Sequence, residues 1–213
     1  MKLDYSLYLV TDRLRMSTRT LDEAVEQAII GGCTMVQLRE KDISSLDFYV
    51  LALETKKITD RYDIPFIIND RIDIAMAVGA AGVHIGQKDI PADIAREVIG
   101  KDMLLGVSVS SVGEAINAVK AGADYLGVGA MFPTGTKSDA VLVSMEELGG
   151  IRQAVDIPIV VIGGISRENA MLFKPMGIEG LSVVSAVIAQ PDIKKAAADL
   201  KSIFFGMEAV NEL

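Results

Sequence analysis

The chain has 213 residues, 50% of them hydrophobic, and a formal net charge of −8, enough length to bury one sizeable core. The acidic balance excludes nucleic-acid and anionic-membrane surfaces, which need basic patches, but not an anionic small molecule, because a few local cations or a bound metal set the field inside a pocket. A single cysteine, Cys33, excludes an internal disulfide, fits a reducing cytosol, and reads as a small buried apolar residue.

From the start, Met1-Lys2-Leu3-Asp4-Tyr5 lacks the apolar run of a signal peptide, and no stretch reaches the ~18 apolar residues of a membrane span. A cytoplasmic protein with no membrane or nucleic-acid partner is expected. Eight short Val/Ile/Leu-rich runs then follow, at 7–11, 35–38, 66–69, 82–85, 104–108, 125–128, 159–162 and 181–184. They are nearly continuous in apolar character, as parallel strands covered on both faces are. Helix-spaced stripes lie between them. Leu21, Val25, Ala28 and Ile29 form one, Leu51, Thr55, Ile58 and Tyr62 a second, and Val112, Ala115, Ile116 and Val119 a third. Glycines at 31–32, 79, 122 and 177 sit where helices end before a strand, as the left-handed exit requires. Eight βα units predict an α/β fold, a single (β/α)8 TIM barrel over 1–213 with right-handed crossovers, slightly short of the ~250 residues typical of such barrels. A doubly wound open sheet is the alternative. No linker divides the chain, and 206–213 are expected to fray.

In either arrangement ligands bind at the carboxyl ends of the strands. After the second run come Gln37, Leu38, Arg39, Glu40 and Lys41; alternation sends Gln37 and Arg39 to one side. Arg39 and Lys41 suit phosphate oxygens, or a solvated charged loop. The third run ends in Asn69-Asp70-Arg71 and the fourth in His84-Ile85-Gly86-Gln87-Lys88-Asp89. On neighbouring strands ~4.8 Å apart, Asp70 and Asp89 can share one Mg²⁺, which takes few protein carboxylates beside phosphate and water; each also reads as a helix N-cap. The sole histidine, His84, reads as a strand-end residue or a catalyst, and Ser108 as a phosphate donor or as the cap of the helix that begins near Ser110-Ser111. No second histidine exists to build a nucleophile triad. The sixth loop, 129–137, carries Pro133, Thr134, Gly135, Thr136 and Lys137: bent, hydroxyl-bearing and cationic, though without P-loop spacing. Gly163-Gly164 and Val184-Ser185 follow the last two runs, where barrels of this kind often bind phosphate. The rim thus divides into a cationic, carboxylate-bearing side suited to a metal-bound diphosphate and a hydroxyl- and glycine-bearing side suited to a monophosphate.

Taken in order along nearly the whole chain, 8–12, 37–41, 69–71, 84–89, 106–108, 132–137, 163–165 and 184–185 resemble the thiamine phosphate synthase family, the Pro-Thr-Gly-Thr-Lys element most specifically. The resemblance implies a Mg²⁺-dependent transferase acting on two phosphorylated small molecules. It would join an aminopyrimidine diphosphate to a thiazole phosphate, or the carboxylated thiazole tautomer, releasing pyrophosphate. It further implies that Gln37, Leu38, Arg39, Glu40, Lys41, Asn69, His84, Ser108 and Lys137 hold the pyrimidine diphosphate, with Arg39, Lys41, Ser108 and Lys137 catalytic. Asp70 and Asp89 would bind Mg²⁺, and Thr134, Gly135, Thr136, Gly164, Val184 and Ser185 the thiazole phosphate. Homo-oligomerisation is compatible with all of this. The competing classes are a Schiff-base lyase using Lys137, a thiazole tautomerase, and a non-catalytic phosphate-ligand sensor on the same barrel.

Overall fold

The computed structural model describes residues 3–135 and 141–206. Eight parallel strands alternate with helices: β1 (Leu7–Val10), α1 (Leu21–Ile30), β2 (Met35–Leu38), α2 (Ser45–Arg61), β3 (Phe66–Asn69), α3 (Ile72–Val78), β4 (Gly82–Ile85), α4 (Ala92–Ile99), β5 (Leu104–Val109), α5 (Val112–Lys120), β6 (Tyr125–Val128), α6 (Met145–Ala154) and β7 (Ile159–Val161). A 3-10 turn (Ala170–Met176), β8 (Gly180–Val183), a short α7 (Ser185–Ile188) and α8 (Ile193–Phe205) complete the order. β1 pairs with both β2 and β8, so the sheet closes into a barrel and the open-sheet alternative falls. Among the described residues no helix is long and apolar enough to cross a membrane.

Period-two alternation divides the strand side chains into two cores. Leu7, Leu9, Val36, Leu38, Ile68, Val83, Val107 and Val161 face outward and pack under the helices. Tyr5, Tyr8, Met35, Ile67, Tyr125 and Val160 face inward and fill the lower barrel. Glycine makes room for them. A Cβ at Gly106 would lie 2.2 Å from Tyr125 Cζ, and one at Gly180 would lie 1.8 Å from the Tyr5 carbonyl oxygen.

Several expected boundaries move by a residue. β1 stops at Val10, β5 continues to Val109, β7 stops at Val161, and β8 starts at Gly180, which pairs with Val160. The stripe expected on α2 is corrected: the buried face is Phe48, Ala52, Thr55, Ile58 and Thr59, while Tyr62 lies beyond the helix and is exposed. On α5, Ala115 and Ala118 are buried and Val112, Ile116 and Val119 only half-buried. The glycine exits behave as expected, with positive φ at Gly32, Gly79, Gly122 and Gly177.

At the amino-terminal rim, charge serves the backbone. Asp124 accepts the Leu105 N–H at 2.7 Å, and Glu179 accepts that of Ile159 at 2.7 Å. That leaves the carboxyl ends of the strands as the face on which polar side chains gather without a structural duty.

The packing makes a contrast testable. Gly180→Ala drives a methyl into backbone and is expected to cost about 1–3 kcal/mol, as overpacking does. Gly113→Ala, on α5 with nothing within 4 Å of the new Cβ, is expected to stabilise by about 0.5 kcal/mol. Urea midpoints compare the two, and equal midpoints would contradict this account of the barrel interior.

Candidate active site

The carboxyl ends of the strands surround a cavity of about 530 Å³, within the range of small-ligand sites. β2 contributes by alternation. Gln37 is buried and lines the cavity; Arg39 and Lys41 line it further out. Leu38 and Glu40 do not. Leu38 points to the outer core and is fully buried there. Glu40 turns to Arg13, whose Nε and Nη2 donate to its two oxygens at 2.8 Å each. The side chains of these two expected binding residues therefore stay off the cavity, because a strand presents every second residue.

β3 ends on Asn69, which is 8% exposed, lines the cavity, and has no side-chain partner among the described residues. Asp70 follows with φ of 61°, a left-handed conformation that aspartate tolerates better than most residues and that often marks functional sites. Its N–H donates to the His84 carbonyl at 2.8 Å, and its carboxylate accepts from Lys41 Nζ. Asp89 lies against it. Burial first, then the adjacent Asp70 carboxyl, raises the Asp89 pKa, while the Gly86 N–H (2.7 Å to Oδ2) and Lys41 oppose the shift. Neither aspartate caps a helix: Arg71 and Pro91 occupy the N-cap positions of α3 and α4. Two carboxylates held together this way form a hard-oxygen donor set. Among the described residues no group of three or more His, Cys, Asp or Glu that could hold a metal ion is found, so a divalent cation here would rest on these two carboxylates together with ligand or solvent oxygens.

His84 and Ser108 occupy the wall between the two sides. His84 Nε2 lies 2.8 Å from Ser108 Oγ, and Nδ1 lies 3.1 Å from Tyr125 Oη. Ser108 does not cap α5: Ser111 does, accepting the Glu114 N–H, and Ser108 lines the cavity. Gln87 Nε2 donates to the Ser108 carbonyl at 2.7 Å.

The far side is built from the ends of β6, β7 and β8. Gly163 and Gly164 have φ of 94° and 65°. Their main demand is close approach: a Cβ at Gly164 would meet Phe132 Cβ at 2.7 Å and the Pro133 carbonyl at 2.8 Å. The sixth loop is laced along β7, with Met131 N–H on the Ile162 carbonyl and Phe132 N–H on that of Gly163, both 3.0 Å. Thr134, Gly164, Val184 and Ser185 line the cavity, and the last two open α7. Gly135 does not line it; its carbonyl accepts from Arg15. Thr136 and Lys137 lie outside the described residues.

Among the residues that had no role in the sequence reading, Tyr8 and Ser182 line the wall, and Tyr125 supports it from below. The signal was present: a tyrosine inside an apolar strand must find a partner for its hydroxyl, and Ser182 interrupts an otherwise apolar run.

Comparison with known proteins agrees with this geometry. The family model described as thiamine monophosphate synthase matches residues 7–187. A thiamine-phosphate synthase of Clostridium beijerinckii is 65% identical over 203 residues, covering 95% of this chain and 97% of that one. One from Ruminiclostridium cellulolyticum is 62% identical with the same coverage. The structure of thiamine phosphate pyrophosphorylase from Pyrococcus furiosus superposes with a TM-score of 0.87 at 39% identity, covering 94% of this chain and 96% of that one. Likeness of this extent, over a chain whose strand ends converge on one mouth, places the protein in the thiamine monophosphate synthase family.

Proposed function

We propose that the protein joins 4-amino-2-methyl-5-hydroxymethylpyrimidine diphosphate to 4-methyl-5-(2-phosphooxyethyl)thiazole. The products are thiamine phosphate and pyrophosphate, with CO₂ lost as well when the carboxylated thiazole tautomer is used. The observation that carries this reading is the divided mouth: Asp70 and Asp89 with Arg39 and Lys41 on one side, and Gly164, Val184 and Ser185 on the other, around one cavity. The same reading places the enzyme in the cytoplasm, with two phosphorylated small molecules as its partners.

The reaction is a dissociative substitution. The bond between the pyrimidine methylene carbon and the diphosphate oxygen breaks, and its electron pair leaves with pyrophosphate. The aminopyrimidine delocalises the cation, and the thiazole nitrogen lone pair then forms the new C–N bond. Mg²⁺ held by Asp70 and Asp89 would supply charge neutralisation on the leaving group. Arg39 offers a planar fork to the phosphate oxygens, Lys41 a point charge, and Lys137 a further cation. Asn69, whose amide has no side-chain partner among the described residues, supplies a polar contact for the diphosphate. Gly164, Val184 and Ser185 anchor the thiazole phosphate with Thr134 and Thr136, which converts an encounter of two substrates into a step within one complex. No protein nucleophile is required. A Schiff-base alternative calls for a lysine in a dry pocket; Lys137, the lysine named for it, lies outside the described residues, and the described lysines of the mouth, Lys41 and Lys88, are exposed.

Three outcomes follow for activity, read as pyrophosphate and thiamine phosphate formed from both substrates. Asp70→Ala is expected to lose on the order of 100-fold or more in kcat with unchanged circular dichroism; full turnover would remove Asp70 from its role. Chelation is expected to abolish turnover and added Mg²⁺ to restore it, so metal-independent activity would refute the carboxylate assignment. Gly164→Ala is expected to raise KM for the thiazole phosphate by about 10-fold or more through displacement of the sixth loop, with little change for the pyrimidine diphosphate. Equal effects on both substrates would refute the division of the mouth.

A further inference from the structure

Five side chains from five strands form one continuous hydrogen-bonded chain through the barrel. Gln37 Nε2 donates to Tyr8 Oη at 2.7 Å. Tyr8 Oη lies 2.9 Å from Tyr125 Oη. Tyr125 Oη lies 3.1 Å from His84 Nδ1, and His84 Nε2 lies 2.8 Å from Ser108 Oγ. Tyr8, Tyr125, Gln37 and His84 are all buried. The strands yield space for it. A Cβ at Gly106 would lie 2.4 Å from His84 Nδ1, and one at Gly127 3.0 Å from His84 Cε1.

Counting protons gives the chain a direction. Burial raises the pKa of both tyrosines far above the ordinary phenol value, so each hydroxyl keeps its single hydrogen. An amide nitrogen only donates. In the polarity inferred below, Tyr8 accepts from Gln37 and gives its hydrogen to Tyr125, and Tyr125 gives its own to His84 Nδ1. An accepting Nδ1 puts the ring hydrogen on Nε2, which faces Ser108 Oγ as a donor. The Ser108 hydrogen is then left for the cavity. At the opposite end the Gln37 amide has committed its nitrogen to Tyr8, which leaves its oxygen as an acceptor.

We infer that Tyr125, with Tyr8 behind it, is a positioning residue that fixes His84 as the Nε2–H tautomer and thereby sets which cavity groups donate and which accept. At its two ends the chain then offers an acceptor, Gln37 Oε1, and a donor, the Ser108 hydroxyl, beside the Asn69 amide and Ser182 hydroxyl that also line the cavity. A 4-aminopyrimidine presents the complement, an N–H donor beside a ring-nitrogen acceptor. A 4-oxopyrimidine presents the reverse, a carbonyl beside a ring N–H, and leaves the polar groups of the site mismatched. The chain is thus a specificity device for amino over oxo pyrimidines, a consequence that rests on the function proposed above. The tautomer itself does not rest on it.

Because His84 is the only histidine, ¹⁵N-histidine labelling reads it without assignment. In the ligand-free protein at neutral pH, Nδ1 is expected to resonate as an unprotonated nitrogen and Nε2 as a protonated one. Protonation of Nδ1, alone or in an imidazolium, would overturn the direction of the chain whether or not the enzyme makes thiamine phosphate. Tyr125→Phe is expected to give mixed tautomers, whereas Tyr8→Phe keeps the Nε2–H form, since Tyr125 still has Nδ1 to donate to. In turnover, Tyr125→Phe is expected to lower the ratio of kcat/KM for the aminopyrimidine diphosphate over its 4-oxo counterpart by about 10-fold or more. An unchanged tautomer and ratio in Tyr125→Phe would refute the positioning role. Should that variant fail to fold, the wild-type and Tyr8→Phe spectra still decide the direction. A wild type that releases no pyrophosphate would refute the proposed function and leave the spectra standing.

Discussion

Strand alternation inside a closed barrel governs this molecule. Each strand sends every second side chain into a narrow interior, and the lower part of that interior is taken up by Tyr5, Tyr8, Met35, Ile67, Tyr125 and Val160. With the floor filled, inward-facing polar residues have one place left, the carboxyl ends of the strands. Gln37, Asn69, His84, Ser108 and Ser182 are the next inward positions above that floor on their strands, and all line the cavity. The same parity removes Leu38 from the site while admitting its neighbours on both sides. Packing thus decides which residues the chemistry can use.

The tyrosines join floor and site. Their rings belong to the apolar packing, Tyr8 and Tyr125 meeting edge to face with centroids 6.0 Å apart, while their hydroxyls need partners that an apolar core cannot give. The partners lie upward, in Gln37 and His84. A buried polar group left unmatched costs about 1–3 kcal/mol, so the network is held together by the penalty for breaking it. Its outer members, Gln37 and Ser108, inherit fixed orientations from that penalty. The rigidity of the pocket wall is in this sense a by-product of filling the barrel with tyrosine rather than leucine.

Much of this was legible in the residues alone. Eight runs stood out because parallel strands buried on both faces are apolar almost without interruption, and the helix exits stood out because only glycine takes a left-handed turn cheaply. What failed did so for physical reasons. Gly180 starts β8 although it has no side chain to register in an apolar pattern, because its backbone pairs with Val160. The α2 face shifts away from Tyr62 in part because Thr59 lies in it; Thr59 is fully buried with its hydroxyl on the Lys56 carbonyl, a local bond that a polarity pattern does not register. In the site, the Asp70–Asp89 meeting follows from adjacent strands and could be anticipated. The roles of Gly163 and Gly164 could not. They were read as bare backbone for an anion, whereas the structure first requires them so that the sixth loop can lie against β7.

The electrostatics of the mouth resolve an apparent conflict, since a chain of net charge −8 must attract anions. Overall charge acts at long range through screened solvent, with a Debye length of about 8 Å at physiological salt, while the pocket feels its own wall. There the acidic groups are individually occupied. Glu40 is held by Arg13, Glu114 by the Ser110 N–H and hydroxyl, and Asp70 by Lys41. Arg39, by contrast, lines the cavity with no carboxylate upon it among the described residues. Turning Glu40 away is therefore as consequential as placing Arg39: its pairing with Arg13 keeps a carboxylate, one residue from each of two cations, from competing with a phosphate for them. Selectivity for anions here comes from which acids are already answered, not from an excess of bases.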